Sequence, residues 1–169
     1  KIAKTIPLGK IPAERFQAFI YSRFQSAGML IESNLIDEIL RITTCHPYYT
    51  QQLCHEIFNM AFSKNERPRI SQQDINLAKD KCIQAQSYAY ATVWDSLASK
   101  QKTFILALCK EPKANIYSQD FLSHYSLGTA SGVQTAVKAL EKKGILDREN
   151  GYYVISDVFL IEWLKIKII

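Results

Sequence analysis

An Asn-Gly pair near the carboxyl end is the sequence feature that most restricts the fold of this chain. Asn150 and Gly151 separate two short runs, Ile-Leu-Asp-Arg at residues 145–148 and Tyr-Tyr-Val-Ile at residues 152–155. Asn-Gly is the strongest short signal for a two-residue hairpin loop, because both residues accept the positive φ angles that such a loop requires. We therefore predict an antiparallel β-hairpin here.

Three helical patterns precede this hairpin. Ser99 and Ser118 can cap the first two, Thr129 leads into the third, and Gly144 is expected to end the third. Three helices followed by a hairpin is the order of a winged helix-turn-helix, with residues 159–164 packing back as a last helix or strand. The apolar residues of the three patterns are Phe104, Ile105, Leu106 and Leu108, then Phe121 and Leu122, then Val133, Val137 and Leu140.

The first half of the chain carries four further helical patterns. They begin near Pro12, at Ser33, at Pro47 and at a capping box formed by Ser71 and Asp74. Helical spacing predicts that each buries one apolar stripe. The four stripes are Phe16, Phe19, Ile20 and Phe24; Leu35, Ile36, Ile39 and Leu40; Tyr49, Leu53, Ile57 and Ala61; and Ile75, Ala78, Cys82, Ala85 and Ala89.

The order of these elements predicts the fold class and the domains. A length of 169 residues fits one ordinary domain or two small ones. We predict a mainly α protein: a four-helix bundle at residues 1–93, followed by a winged helix-turn-helix with a small β-hairpin wing at residues 94–169. No internal repeat is evident in the sequence.

Composition narrows the class of protein further. Hydrophobic residues make up 47% and charged residues 22%, which is the composition of a globular chain. No apolar run approaches the roughly 20 residues that cross a bilayer, and residues 1–10 lack a secretory signal, so we expect a cytoplasmic protein without membrane contact. The net charge of +5 is too small to indicate nucleic-acid binding by itself.

The four cysteines are predicted to be buried free thiols rather than metal ligands. They stand far apart, and no Cys-x-x-Cys pair occurs. Two of them precede a histidine, but such adjacent pairs lack the ligand spacing of a structural zinc site. The cysteines are Cys45, Cys54, Cys82 and Cys109.

A resemblance to a known family rests on the segment His-Pro-Tyr-Tyr-Thr-Gln-Gln-Leu-Cys at residues 46–54. This segment opens a helix, a long helix follows, and the chain closes with the winged-helix pattern that ends in Tyr-Val-Ile-Ser-Asp and Trp-Leu. The arrangement resembles the carboxyl-terminal half of prokaryotic STAND-type AAA+ ATPases over nearly the whole chain. In that family a P-loop domain comes first, a helical lid follows and a winged helix closes the chain.

The resemblance implies a nucleotide-contacting site. In the family the lid proline lies beside the adenine, and the matching residue is Pro47, with His46 and Tyr48 as neighbours. Relatives often carry glycines just before the His-Pro pair, where this chain has Thr44 and Cys45. From the residues alone, Pro47 could instead merely begin a helix, with Tyr48 and its neighbour Tyr49 in the core.

The resemblance also implies what surrounds this chain. The opening residue is not methionine, and we expect a carboxyl-terminal piece of a longer protein whose P-loop domain binds ATP or ADP with magnesium. No Gly-x-x-x-x-Gly-Lys-[Ser/Thr] occurs here, so we expect no catalytic residue and no cofactor in this chain alone. The expected partners are the chain's own P-loop domain and a partner protein.

The winged helix raises the alternative of a DNA-binding regulator with a helical dimerisation domain. The third helix of a winged helix lies in the major groove. On its side opposite the apolar face, lysines suit phosphates and a glutamine suits an adenine edge. A third alternative is an adaptor that binds a protein through residues 163–169. The DNA candidates are Ser131, Gln134, Thr135, Lys138 and Lys142, with Arg148 and Tyr152 near the wing.

Overall fold

Eight helices and one hairpin make up the part of the chain that the computed structural model describes, residues 11–63 and 68–168. The stretch at residues 1–10, where the sequence shows no secretory signal, lies outside the described residues. The elements are α1 (Ala13–Ser26), α2 (Ser33–Ile42), α3 (Pro47–Phe62), α4 (Gln72–Asp95), α5 (Ser99–Lys110), α6 (Gln119–His124), α7 (Ala130–Lys142), β1 (Leu146–Glu149), β2 (Tyr152–Ile155) and α8 (Val158–Lys167).

The chain divides into two compact units, and the division falls inside a helix. Unit 1 is Lys1–Gln84 and unit 2 is Ala85–Ile169, so helix α4 contributes its first half to unit 1 and its second half to unit 2. The domain boundary expected from the sequence, between residues 93 and 94, also falls within α4 and stays a prediction about domain organisation.

Unit 1 is built from α1, α2, α3 and the first half of α4. Helix α2 packs against both α1 and α3. A single bridge pairs Leu30 with Arg69, in which Ile70 donates its backbone N–H to the Leu30 carbonyl at 2.8 Å. The buried residues include most of the predicted stripes, because helical spacing brings residues three and four apart onto one face.

Four predicted core positions of these helices are wrong. Phe19 is 53% exposed, because it lies beside rather than within the buried face of α1. Tyr49 is half-buried, and Thr50 takes its place in the core. Ala85 and Ala89 are exposed, since the long helix α4 turns a different face inward in its second half. That face carries Tyr90 and Trp94, which are buried.

Unit 2 has the order of elements that the sequence predicts. Helix α5 packs against α7, α8 and strand β2, and α7 contacts β1. Residues 159–164 belong to helix α8, whose N-cap residue Asp157 accepts the backbone N–H groups of Phe159 and Leu160 at 2.8 and 3.1 Å. The other carboxylate oxygen of Asp157 accepts the Tyr90 hydroxyl at 3.0 Å. This contact ties the second half of α4 to the start of α8.

The hairpin confirms the Asn-Gly prediction. Asn150 and Gly151 have φ angles of 50° and 86°, so both central residues are left-handed as a type I′ turn requires. Strands β1 and β2 pair antiparallel, with Arg148 opposite Tyr153 and Glu149 opposite Tyr152. The molecule is therefore mainly helical with one two-stranded wing.

The predicted helix caps are correct at three positions and displaced by one residue at two others. In the predicted capping box of α4, the Ser71 N–H bonds Asp74 Oδ2 at 2.9 Å and the Asp74 N–H bonds Ser71 Oγ at 3.3 Å. Ser118 caps α6 and Thr129 caps α7, each accepting a backbone N–H of the first turn. Ser33 and Ser99 are instead the first helical residues, because Glu32 and Ala98 take the N-cap conformation. Within the described residues, none of the helices combines the length and apolar character needed to cross a bilayer.

Candidate functional site

The turn that leads into α3 has an unusual backbone. Thr44 and Cys45 have φ angles of 50° and 55°, in the left-handed region. The Cys45 N–H bonds the Leu40 carbonyl at 3.0 Å and the Thr44 N–H bonds the Arg41 carbonyl at 3.4 Å, which is the Schellman pattern at the end of a helix. Glycine usually occupies this conformation, since a Cβ there costs about 1 to 2 kcal/mol. The backbone thus has a glycine-type conformation without a glycine.

The three predicted nucleotide-contacting residues lie together at the start of α3. His46 is the N-cap residue, without a side-chain cap hydrogen bond, and Pro47 is the first helical residue. Tyr48 is 60% exposed, which excludes the alternative that it belongs to the core. The rings of His46 and Tyr49 lie 4.7 Å apart, so the histidine packs along the helix rather than over its end.

A groove between α1 and α3 passes directly beside these residues. Its volume is about 1040 Å³, and Pro47 and Tyr48 form part of its α3 wall. The exposed ring of Phe19 lies on the α1 wall, with the Arg23 guanidinium 5.2 Å from the ring centre. The α1 residue that the sequence assigned to the core therefore lines a surface cavity.

Two buried polar atoms have no hydrogen-bond partner among the described residues. One belongs to the N-cap residue of α3 and the other to the second turn of that helix. They are His46 Nδ1 and Gln52 Oε1. Gln52 lines the groove, whereas His46 is not part of its lining. Sequence reasoning missed Gln52, Arg23 and the role of Phe19, because no spacing rule distinguishes a glutamine that faces a cavity from one that faces water.

Three of the four cysteine thiols have a pKa that burial raises. Cys54 lines the groove, and burial raises the pKa of its thiol to about 12. Burial also raises the pKa of Cys82 to about 12 and that of Cys109 to about 11. Because the thiolate is the nucleophile, these three side chains stay protonated and unreactive at neutral pH. Across residues 11–63 and 68–168, no three His, Cys, Asp or Glu side chains come together as a metal site.

The five DNA candidates of α7 share one exposed face of the helix. The opposite face is buried through Val133, Ala136, Val137 and Leu140. Lys138 and Lys142 form no ion pair with any described residue, although Glu141 is exposed on the same helix. The residues that face the solvent are Ser131, Gln134, Thr135, Lys138 and Lys142.

The two wing candidates are separated by the strand register. Arg148 lies opposite Tyr153, and its guanidinium is 5.4 Å from that ring centre. Tyr152 lies opposite Glu149, so it projects from the other face of the hairpin. On the Arg148 face, burial and a hydrogen bond with Tyr153 raise the pKa of Tyr117 to about 12. The wing thus has one face with Arg148 and the tyrosines, and another with Tyr152.

One further lysine lies at the start of α7. The Lys100 ammonium on α5 is 3.0 Å from the position where a Cβ of Gly132 would stand, and 3.8 Å from that of Gly128. Gly132 lies in the first turn of α7, so this cation is close to the amino end of the exposed helix. Sequence reasoning missed Lys100, because it is 30 residues before α7 and only the packing of α5 on α7 brings it there.

Unit 2 contains a helix-turn-helix pair followed by a two-stranded wing, and its helix α7 is exposed along one side. This arrangement defines a winged helix domain. In agreement, residues 88–166 match the family described as "Probable winged helix domain". The match covers slightly less than half of the chain and begins within α4. No curated protein sequence matches this chain.

Proposed function

We propose that unit 1 is the nucleotide-sensing lid, and unit 2 the regulatory winged helix, of an ATP-binding switch protein of the STAND type. The observation that carries this proposal is the groove beside Pro47 and Tyr48, the two residues that the resemblance places next to the adenine. A proline at the first position of a helix offers a flat apolar surface, and the exposed Tyr48 ring enlarges it.

The residues present fit the base of a nucleotide. Apolar and aromatic walls with a few polar groups are the usual lining of a small-molecule site. The side chains of Gln51 and Gln52 add polar groups to those walls. When ATP is bound, the chemistry that it supplies is phosphoryl transfer to water, and this chain's residues have no part in that step. Their role is to contact the base and to transmit its presence to the winged helix.

The remaining parts of the site would come from the upstream P-loop domain. That domain would hold the phosphates and the magnesium ion, and it is the expected partner of unit 1. Unit 2 would restrain the ATPase or recruit a partner protein. The left-handed backbone at Thr44 and Cys45 is one that glycine adopts readily, which fits the glycines that the resembled family often carries before the His-Pro pair.

The upstream reading frame gives the first test. It should encode a strand, a Gly-x-x-x-x-Gly-Lys-[Ser/Thr] loop and a helix. In the full-length protein, Tyr48→Ala should raise the KM for ATP about tenfold, since stacking of an aromatic side chain on a base contributes about 1 to 3 kcal/mol. Tyr88→Ala is the matched control, because Tyr88 is 88% exposed and lies outside the groove. A reading frame without the loop would exclude the proposal.

The regulatory role of unit 2 needs a separate test. Removing residues 99–169 from the full-length protein leaves α4 whole and should change the ATPase rate or the oligomeric state. If neither changes, unit 2 does not regulate the ATPase.

A second candidate function, binding of double-stranded DNA, is favoured by the exposed face of α7. This face carries two lysines that form no ion pair with a described residue, and Gln134 lies nearer the start of the helix. Such a face suits a helix that enters the major groove. Lys138→Glu combined with Lys142→Glu should weaken duplex binding, and should lower the slope of log affinity against log salt by about 2. Unchanged duplex affinity would exclude this candidate.

The control for the DNA test is a pair of lysines elsewhere in unit 2. Lys113→Glu combined with Lys167→Glu makes the same change in net charge at two exposed positions outside α7 and the wing. If this pair weakens duplex binding equally, the effect comes from overall charge and not from the α7 face.

A further inference from the structure

One cation of unit 2 lies beside α7 although it belongs to a different helix. Lys100 is the second residue of α5, and its side chain is exposed. Its ammonium nitrogen is 3.0 Å from the position that a Cβ of Gly132 would take, and 3.8 Å from that of Gly128. Gly132 belongs to the first turn of α7, and Gly128 precedes its N-cap residue. The packing of α5 on α7 therefore holds this ammonium against the start of α7.

The fold does not explain why a cation lies there. No described carboxylate forms an ion pair with Lys100, and the first turn of α7 contains no acidic residue. The only acidic residue of α7, Glu141, lies at the opposite end of the helix. The helix dipole opposes a cation at the amino end of a helix, so this ammonium does not stabilise α7. A negative group from outside the chain would balance its charge.

Two further cations extend the same surface along α7. Lys138 and Lys142 are exposed on the side of α7 opposite its buried face. The rise of a helix places Lys142 about 15 Å along α7 from Gly132. The major groove of B-DNA is about 12 Å wide, so cations at the two ends of α7 are far enough apart to reach phosphates on both of its sides. This arrangement of charge fits the backbone of duplex DNA.

We infer that Lys100 binds a backbone phosphate of duplex DNA beside the start of α7, and that this contact fixes how α7 lies in the major groove. A phosphate contact orients a protein on the duplex without reading its sequence, and a lysine makes it as a point charge. Gly132 leaves room for the ammonium, since any side chain there would carry a Cβ at 3.0 Å from it. The inference rests on the second candidate function, DNA binding by the α7 face, and adds a contact from a different helix.

The test measures binding of a fluorescein-labelled duplex of mixed sequence by fluorescence anisotropy, at KCl concentrations from about 50 to 200 mM. Lys100→Ala should weaken binding about tenfold at the lowest salt, since a hydrogen bond to a charged group contributes enough for such a change. It should also lower the slope of log affinity against log salt by about 1, because one phosphate contact is lost. Lys100→Arg should keep both values close to those of the wild type, because it retains the charge.

The matched control is Lys110→Ala, which removes the same charge from the other end of α5. Lys110 is exposed, and the rise of the helix places its Cα about 15 Å from that of Lys100. That distance exceeds the Debye length of about 10 Å at 0.1 M salt, so Lys110→Ala should change the affinity by less than about twofold.

Two further measurements separate a phosphate contact from other roles of Lys100. Lys100→Ala should weaken binding of an A·T-rich and a G·C-rich duplex by the same factor, because a phosphate contact reads no sequence. Its urea midpoint of unfolding should equal that of the wild type or exceed it, because the removed charge opposes the helix dipole.

The outcomes separate this inference from the function on which it rests. If the wild-type chain binds no duplex even at the lowest salt, both fail. If Lys138→Glu combined with Lys142→Glu weakens duplex binding while Lys100→Ala changes neither the affinity nor the salt slope, DNA binding stands and the contact at Lys100 is wrong. The inference is also overturned if Lys110→Ala weakens binding as much as Lys100→Ala does, or if Lys100→Ala lowers the urea midpoint. The effect would then come from overall charge or from the fold.

Discussion

The entry to α3 in unit 1 and helix α7 in unit 2 follow local structural rules to very different degrees. Helix α7 begins with a capping threonine, Thr129, and ends at a left-handed glycine, Gly144. The N-cap residue of helix α3 is His46, which provides no side-chain cap and directly follows two left-handed residues that are not glycine. Two buried atoms without partners also belong to α3 and its N-cap, and none to α7.

This difference is consistent with the proposed ligand site at the start of α3. Natural sequences depart from local rules mainly at functional sites, where strain and unsatisfied groups are kept for a ligand. Helix α7 has a capping threonine and a terminal glycine and presents a polar face, although the turn before it also contains one left-handed residue that is not glycine, Ser126. The start of α3 keeps its unsatisfied groups beside a concave apolar groove, which suits a small ligand.

The largest expected effect concerns the buried side of α7. Leu140→Ala should lower the free energy of unfolding by about 2 to 5 kcal/mol, because Leu140 is fully buried and its loss leaves a cavity. Both tryptophans, Trp94 and Trp163, belong to unit 2, so urea unfolding followed by tryptophan fluorescence reports on it. A loss below about 1 kcal/mol would mean that this face is not a packed core.

The next test removes a glycine from one left-handed helix end and introduces a glycine at another. It compares the backbone strain at the two positions. Gly144→Ala should destabilise the protein by about 1 kcal/mol through conformational strain alone, since no atom lies within 4 Å of the added Cβ. Thr44→Gly should instead stabilise it by about 0.5 to 1 kcal/mol, because Thr44 is exposed and loses only strain. Urea unfolding followed by circular dichroism measures both. Two changes of the same sign would contradict the comparison.

Exchanging the N-cap residues is expected to have effects of about the same size or slightly smaller. Thr129→Ala should cost about 1 kcal/mol, because it leaves the Gly132 N–H without its acceptor. His46→Asn should stabilise the protein by about 0.5 kcal/mol, since asparagine can cap α3 and the partnerless Nδ1 is removed. Thermal unfolding compares the two. If His46→Asn is destabilising, the packing of the His46 ring on Tyr49 outweighs the missing cap.

The smallest expected change concerns the exposed side of α7. Lys138→Ala combined with Lys142→Ala should change the free energy of unfolding by less than about 0.5 kcal/mol, because neither lysine forms an ion pair with a described residue. The same fluorescence measurement as for Leu140 applies. A large loss would show that the lysines support the fold and are not available to a partner.

Much of the local structure was accessible from the sequence. The correctly predicted features all depend on residues within a few positions of one another. They are the type I′ turn at Asn150 and Gly151, the caps at Ser118 and Thr129, and the capping box at Ser71 and Asp74. The predictions that failed, at Phe19, Tyr49, Ala85 and Ala89, concern which side of a correctly predicted helix faces the core. Spacing alone cannot decide that where apolar residues surround much of a helix.

The sequence by itself determined the order of the elements and the winged helix, because capping, turn formation and helical periodicity are interactions over short distances along the chain. Only the tertiary structure decided that Phe19 and Tyr48 share a groove and that Lys100 reaches the start of α7. These contacts join residues from separate helices. Their partners are set by how the helices pack, and no local pattern in the chain records that packing.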